Sequence, residues 1–284
     1  MDQLSNMNVI IISSQQINPS FILPNSTNLQ NHQTQISSLP NASLLLNSFV
    51  LSSTLLLTTY VFFVKNNFLK NKQQRAWILT YTTSIIMSIG SIPFVFQLIF
   101  SANWNVNDLP KESNLSIVLV GFFMTYCILD LLIGRAFYKH EISNVTSMKG
   151  YLHHLIHLAI SVFVIYKQRT EIFCLMSIFE VSTLVLATEK FNNKSLKQEI
   201  LYLTSFISTR LLFHAMMIHL YYNYHQSKST WLILALLYPL QCYWFYGYIK
   251  QQINMRNQRK KRSQLNNILY NNQELEIVLN SLMM

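Results

Sequence analysis

Apolar residues along this chain gather into blocks about 20 long, separated by short polar stretches. About 20 residues of α-helix cover the ~30 Å hydrocarbon core of a bilayer. Seven blocks are read as spans, over residues 43–64, 77–100, 115–138, 151–166, 171–188, 200–222 and 230–249. The fourth and fifth are short, and only Lys167, Gln168, Arg169 and Thr170 separate them, which predicts a tight helical hairpin. No run of ten-residue alternating segments bounded by turn residues occurs, as a transmembrane β-barrel would require. The pattern predicts an all-α polytopic membrane protein, a bundle of about seven transmembrane helices, because a helix satisfies its own backbone polar groups in lipid.

Residues 1–42 break the pattern. They are rich in Asn, Gln and Ser and carry no helical apolar period, so a disordered tail is expected there. The apolar patch "NVIII" is too short for a signal peptide and follows no basic region, which leaves the first span as the expected signal anchor. Asn25, in "NST", is a candidate glycosylation site; Asn41, in "NAS", lies too near the membrane.

Composition agrees with the spans: 51% of residues are hydrophobic and 11% charged, against roughly 25% charged in an average soluble domain. Cys127, Cys174 and Cys242 all fall inside apolar blocks, where they are expected to pack as small hydrophobes rather than to form a disulfide framework.

Charge adds orientation, because Lys and Arg are retained on the cytosolic side. The first 42 residues have none, and the loops and tail that alternate with them hold fifteen against four on the other side, namely Lys111, Lys167, Arg169 and Lys228. The N-terminus is therefore expected to be lumenal or extracellular and the C-terminus cytosolic. The net charge of +10 is mostly this topology signal. The run "RNQRKKR" beside a helix end is expected to meet anionic headgroups, not nucleic acid.

Ionisable groups inside spans are costly and usually face the bundle interior or a wet cavity. Span three carries Asp130 and Arg135, span four His153, His154 and His157, and span five Glu180 with Ser182 and Thr183. Arg210 and His214 follow in span six, and Gln241 in span seven. The three histidines stand at i, i+3 and i+4 spacings on one broad helix face, as do Arg210 and His214. Charge topology puts most of these groups at mid-membrane or in its cytosolic half, so one cavity opening to the cytosol is expected. For any one residue the plainer reading is structural: a histidine reaching interfacial water, or an acid pairing with an arginine to fix helix packing. The shared depth of the whole set is what points to function.

The ordered stretches "QQRAWILTYTTSIIMSIGS", "YCILDLL", "YLHHLIH", "FEVSTLVL", "FISTRLLF" and "LQCYWFYGYIK" resemble the TLC-domain family, which includes ceramide synthases and other endoplasmic reticulum proteins of lipid metabolism. The resemblance covers roughly residues 70–255. It implies a TLC domain over 70–255, preceded by a first helix and linker over 43–69 and followed by a cytosolic tail over 256–284. It also implies an endoplasmic reticulum location, with the plasma membrane as the other choice. The stretch "IFCLMSIFEVSTLVLATEKF" has Glu180 but not the acidic pair of ceramide synthases, which argues against sphingoid-base N-acylation and leaves other acyl transfer open.

As an enzyme, the resemblance implies acyl transfer from acyl-CoA, the co-substrate, to a lipid held in the bundle. His153 or His154 would be general base or transient acyl acceptor, with Asp130 or Glu180 orienting the ring. Arg210 would draw an anionic headgroup or thioester oxygen. His157, Glu180, Ser182, Thr183, Arg210, Gln241 and Trp244 would line the lipid or acyl site. The competing expectation is a non-catalytic lipid-sensing, lipid-transfer or cargo-receptor protein with the same cavity. Membrane lipids are the expected partners in either case, with no cofactor. A seven-helix receptor is disfavoured: "GRAFYKH" offers Arg135 without an acidic neighbour, and span seven has "YPLQCYW" where an Asn-Pro-x-x-Tyr would stand. A di-iron oxygenase needs around eight ligands, and five suitably placed histidines are too few, so no metal is expected.

Overall fold

The fold is that of a computed structural model, which describes residues 42–66, 69, 71–137, 146–191, 196–224 and 228–283. The expected disorder of residues 1–41 and the sequons at Asn25 and Asn41 lie outside the described residues. Every regular element among the described residues is helical.

Among the described residues seven rods follow one another. The first is α1 (Ala42–Lys65). The second is α2 (Lys72–Phe96), prolonged by a π-helical stretch, Gln97–Ser101. Next come α3 (Asn114–Phe137) and α4 (Thr146–Tyr166). The fifth rod is composite: α5 (Thr170–Met176), a 3₁₀ turn at Ser177–Phe179, and α6 (Glu180–Phe191). So is the sixth, built from α7 (Leu196–Ser205), a π-helical stretch over Phe206–Phe213 and α8 (His214–Tyr224). The last rod is α9 (Lys228–Leu282).

Six rods are long and apolar enough to cross a membrane. The chain is a multi-pass membrane protein. In the fourth rod the described apolar stretch is Leu152–Tyr166, about 22 Å of helix. The seventh rod differs from expectation in the other direction. Where apolar residues give way to "KQQINMRNQRKKRSQ", neither Gly nor Pro stops the helix, and α9 continues for 55 residues in all.

Helix α2 packs on α3, α5 and α6, α3 on α4, and α8 on α9. Buried Met87, Val120, Cys127, Cys174, Leu175, Met217 and Tyr221 belong to one core. The three cysteines are free; Cys127 and Cys174 are buried and Cys242 is exposed. With lipid as apolar as leucine, such helices gain by close packing and small polar contacts. Ser116 Oγ lies 2.6 Å from Thr170 Oγ1, tying α3 to the start of α5. Helix α1 docks through Ser48, whose Oγ donates to Val118 O at 2.8 Å. Gly121 makes the room: a Cβ there would stand 2.7 Å from Ser48 Oγ.

The turn from α4 to α5 is tightly specified. Gln168 adopts φ 53°, the left-handed conformation that ends many helices. The amide of Arg169 donates to Val164 O at 2.8 Å and that of Gln168 to Ile165 O at 3.0 Å, so the last carbonyls of α4 are satisfied. This turn carries Lys167 and Arg169.

Candidate functional site: a polar floor beneath an apolar cavity

The two irregular stretches at membrane depth face one another. Broken helix is tolerated there only where protein buries it, and π and 3₁₀ interruptions often mark functional positions. Arg210 sits in the π-helical stretch of the sixth rod and is 7% exposed. Its Nε donates to Phe179 O at 3.2 Å and to Ser182 Oγ at 2.7 Å. Its Nη1 donates to Gln241 Oε1 at 3.1 Å, and its Nη2 to Thr183 Oγ1 at 2.6 Å. Glu180 Oε1 lies 3.8 Å from Nη2, and the other carboxylate oxygen accepts from Ser84 Oγ at 2.9 Å. Phe179, whose carbonyl Arg210 uses, closes the 3₁₀ turn. A buried charge persists only when paired and hydrogen-bonded, and four rods combine to meet that condition.

The histidines of α4 divide between environments. His154 Nε2 lies 3.0 Å from Asp130 Oδ2, and its ring meets Tyr126 edge-on at 5.4 Å. Asp130 borders a small hollow of about 50 Å³ with Arg75 and Tyr60. The His153 ring lies 4.0 Å from that of His157 and 4.7 Å from that of Trp244, and its Nδ1 is buried without a hydrogen-bond partner. His157 Nδ1 lies 2.9 Å from His153 O. A carbonyl only accepts, so Nδ1 carries the proton and Nε2 is the basic nitrogen of the neutral ring. By the same argument His214 donates from Nε2 to Leu234 O at 3.0 Å. Its buried Nδ1 is left as an acceptor with no partner.

A cavity of about 300 Å³ lies among α3, α4, α5, the sixth rod and α9. Its floor is polar, formed by His157, Glu180, Arg210 and Gln241, with His214 part way up. Phe123, Ile160, Phe163, Phe173, Ile233 and Leu237 are among its apolar walls. Lys167, Arg169 and Thr230 border its far end.

Four of the expected lipid-site residues, His157, Glu180, Arg210 and Gln241, therefore line one cavity. Ser182 and Thr183 instead hold Arg210, and Trp244 packs on His153. The proposed catalytic set of His153, His154 and Asp130 is not part of the lining: His154 turns to Asp130 of α3 while His157 reaches the cavity, so one broad face of α4 meets two environments. The direction of the cavity also differs from expectation. It runs from mid-membrane towards the α4–α5 turn, away from the end that carries Lys65, Lys72, Arg75, Lys190 and Lys197. The sequence placed His214 in the polar set without a role of its own, and gave no role in the site to Lys167 and Arg169. The available signal was two cations within a four-residue hairpin turn on the side otherwise poor in them.

Among the described residues no group of three or more His, Cys, Asp or Glu is arranged to hold a metal ion. The family model described as the TLC domain matches residues 71–250, well over half of the chain, and begins after α1. No curated protein and no solved structure matches the chain.

Proposed function

Since the chain belongs to the TLC-domain family, we propose that it is a protein of membrane lipid homeostasis that holds a lipid or acyl chain in the cavity above Arg210. Within the family we place it nearest TLC domain-containing protein 4, on the motifs quoted above, and in the endoplasmic reticulum. The N-terminus is lumenal and the C-terminus cytosolic on the charge count.

The carrying observation is the cavity itself. Its volume of about 300 Å³ stands at the low end for ligand pockets. Apolar walls over a few fixed polar groups are what a chain-binding site needs. Binding without chemistry is favoured over acyl transfer, because His153, His154 and Asp130 stand apart from the lining. Acyl transfer is the second reading, and His157 is the residue that favours it. Its basic Nε2 belongs to a cavity-lining ring whose tautomer the His153 carbonyl fixes, the arrangement a general base requires.

Purified full-length protein tests both. The binding reading expects a lipid to copurify at about one per chain, with no acyl-CoA turnover, and expects the variant His153→Ala/His154→Ala to retain that lipid. Turnover of acyl-CoA that His157→Ala abolishes would replace binding with catalysis. Absence of any copurifying lipid, together with no turnover, would sink both.

A further inference from the structure

The two ends of the cavity offer an occupant different chemistry. At the floor, Arg210 is already spoken for: its donors go to Ser182, Phe179, Gln241 and Thr183, and Glu180 balances its charge. Three of its five N–H groups are engaged, the Nε–H being shared between two oxygens, and with the Glu180 carboxylate already balancing its charge an anionic headgroup gains little there. At the far end stand Lys167 and Arg169, which form no ion pair within 4 Å among the described residues. The nearest acid in sequence, Glu171, is buried, at 3% exposure, does not line the cavity, and feels the Arg169 charge only at a separation beyond an ion pair.

Their placement is also unexpected on topology. Cations are held back from this side of a membrane protein, and only four occur there. Two of the four border the cavity, fixed in place by the hydrogen-bonded turn at Gln168. Long cationic side chains place an apolar stem along a wall and a charged head at the interface. A cation pair at the rim of an apolar cavity is thus matched by a carboxylate or phosphate on an apolar stem. Volume limits the stem to one chain.

We infer that the cavity takes a single-chain anionic amphiphile, chain towards Arg210 and head at Lys167 and Arg169, loaded from the leaflet opposite the cationic loops. This deepens the lipid-binding reading and rests on it.

Full-length protein in nanodiscs of zwitterionic lipid tests the inference with three probes of equal chain length: dodecanoate, dodecyl phosphate and monolauroylglycerol, each below its micellar range. Binding of at least one anionic probe tenfold or more tighter than the neutral one is expected. Lys167→Gln/Arg169→Gln should remove that preference, and Leu237→Trp, which fills the cavity, should abolish binding of all three without lowering the melting temperature. Dodecanoate alone, or dodecyl phosphate alone, supports the inference and identifies the head. Equal binding of all three, unchanged by the Lys167/Arg169 substitutions but lost in Leu237→Trp, overturns it and leaves the lipid-binding reading standing. No binding of any probe, or binding that Leu237→Trp leaves intact, overturns both.

Discussion

Replacing Glu180 by Gln isolates one charge in the bundle and nothing else of similar size. The amide keeps the volume and can still accept from Ser84 Oγ, while Arg210 keeps its contacts to Ser182, Thr183 and Gln241. What disappears is the carboxylate 3.8 Å from Nη2, in a pair whose side chains are 8% and 12% exposed. At an effective dielectric constant of about 20, two unit charges at that separation interact by about 4 kcal/mol. Breaking a buried pair by removing one partner costs about 3–5 kcal/mol. For a chain of this size 1 kcal/mol corresponds to roughly 2–4 °C, so Glu180→Gln should melt at least about 6 °C lower. The buried thiols supply the assay. In a Cys242→Ser background, Cys127 and Cys174 are shielded in the folded bundle and react with a fluorogenic maleimide only on unfolding. The control is Glu180→Gln/Arg210→Met. With both charges gone, the double variant should be more stable than the sum of its single losses by about 2 kcal/mol or more. A Glu180→Gln melt within 1 °C of wild type, or strict additivity in the cycle, would refute the claim that this pair fixes the fifth and sixth rods together.

Three further outcomes follow from local geometry. Gln168→Gly, which relieves a left-handed residue that only glycine adopts freely, should raise stability by about 1 kcal/mol in the same thiol assay. Gly121→Leu forces a side chain into Ser48 and should cost about 1–3 kcal/mol by overpacking, seen as a lower melting temperature and faster proteolysis of α1. His154→Ala and Asp130→Asn should be non-additive in stability, because the two side chains lie 3.0 Å apart, yet each should leave cavity occupancy, read by native mass spectrometry, within twofold of wild type.

The helical bundle was legible from hydropathy because the bilayer enforces it: a span must be long, apolar and helical, and six rods are. That Arg210, Glu180 and Gln241 would line one cavity was also expected, since ionisable groups at membrane depth turn to the bundle interior; that they contact one another was not. Two further things were not legible. Spacing places His153, His154 and His157 on one face of an ideal helix, but a broad face can meet two neighbours; here Asp130 of α3 takes His154 while the cavity takes His157. The cavity's direction was hidden for a related reason. Charge counts fix which way a span runs but not where helices splay apart, and that depends on the 3₁₀ and π-helical interruptions near Phe179 and Arg210. No residue in "SIFEVST" or "FISTRLLF" is a helix breaker, so nothing in the sequence marks them.

Helix α9 has a mechanical consequence. Its main neighbours in the bundle are α8 and the π-helical stretch of the sixth rod, Trp244 meets His153 of α4, and Arg256 still reaches Glu199 of α7 at 3.4 Å. From there to Leu282 run 26 residues of continuous helix, about 39 Å at 1.5 Å per residue. A rod of that length, held by the bundle near Arg256, acts as a lever. A tilt of about 10° at Arg256 displaces the tip by roughly 7 Å at 1.5 Å per residue, so a spin label or fluorophore at exposed Met283 would amplify motions of the bundle when the cavity fills.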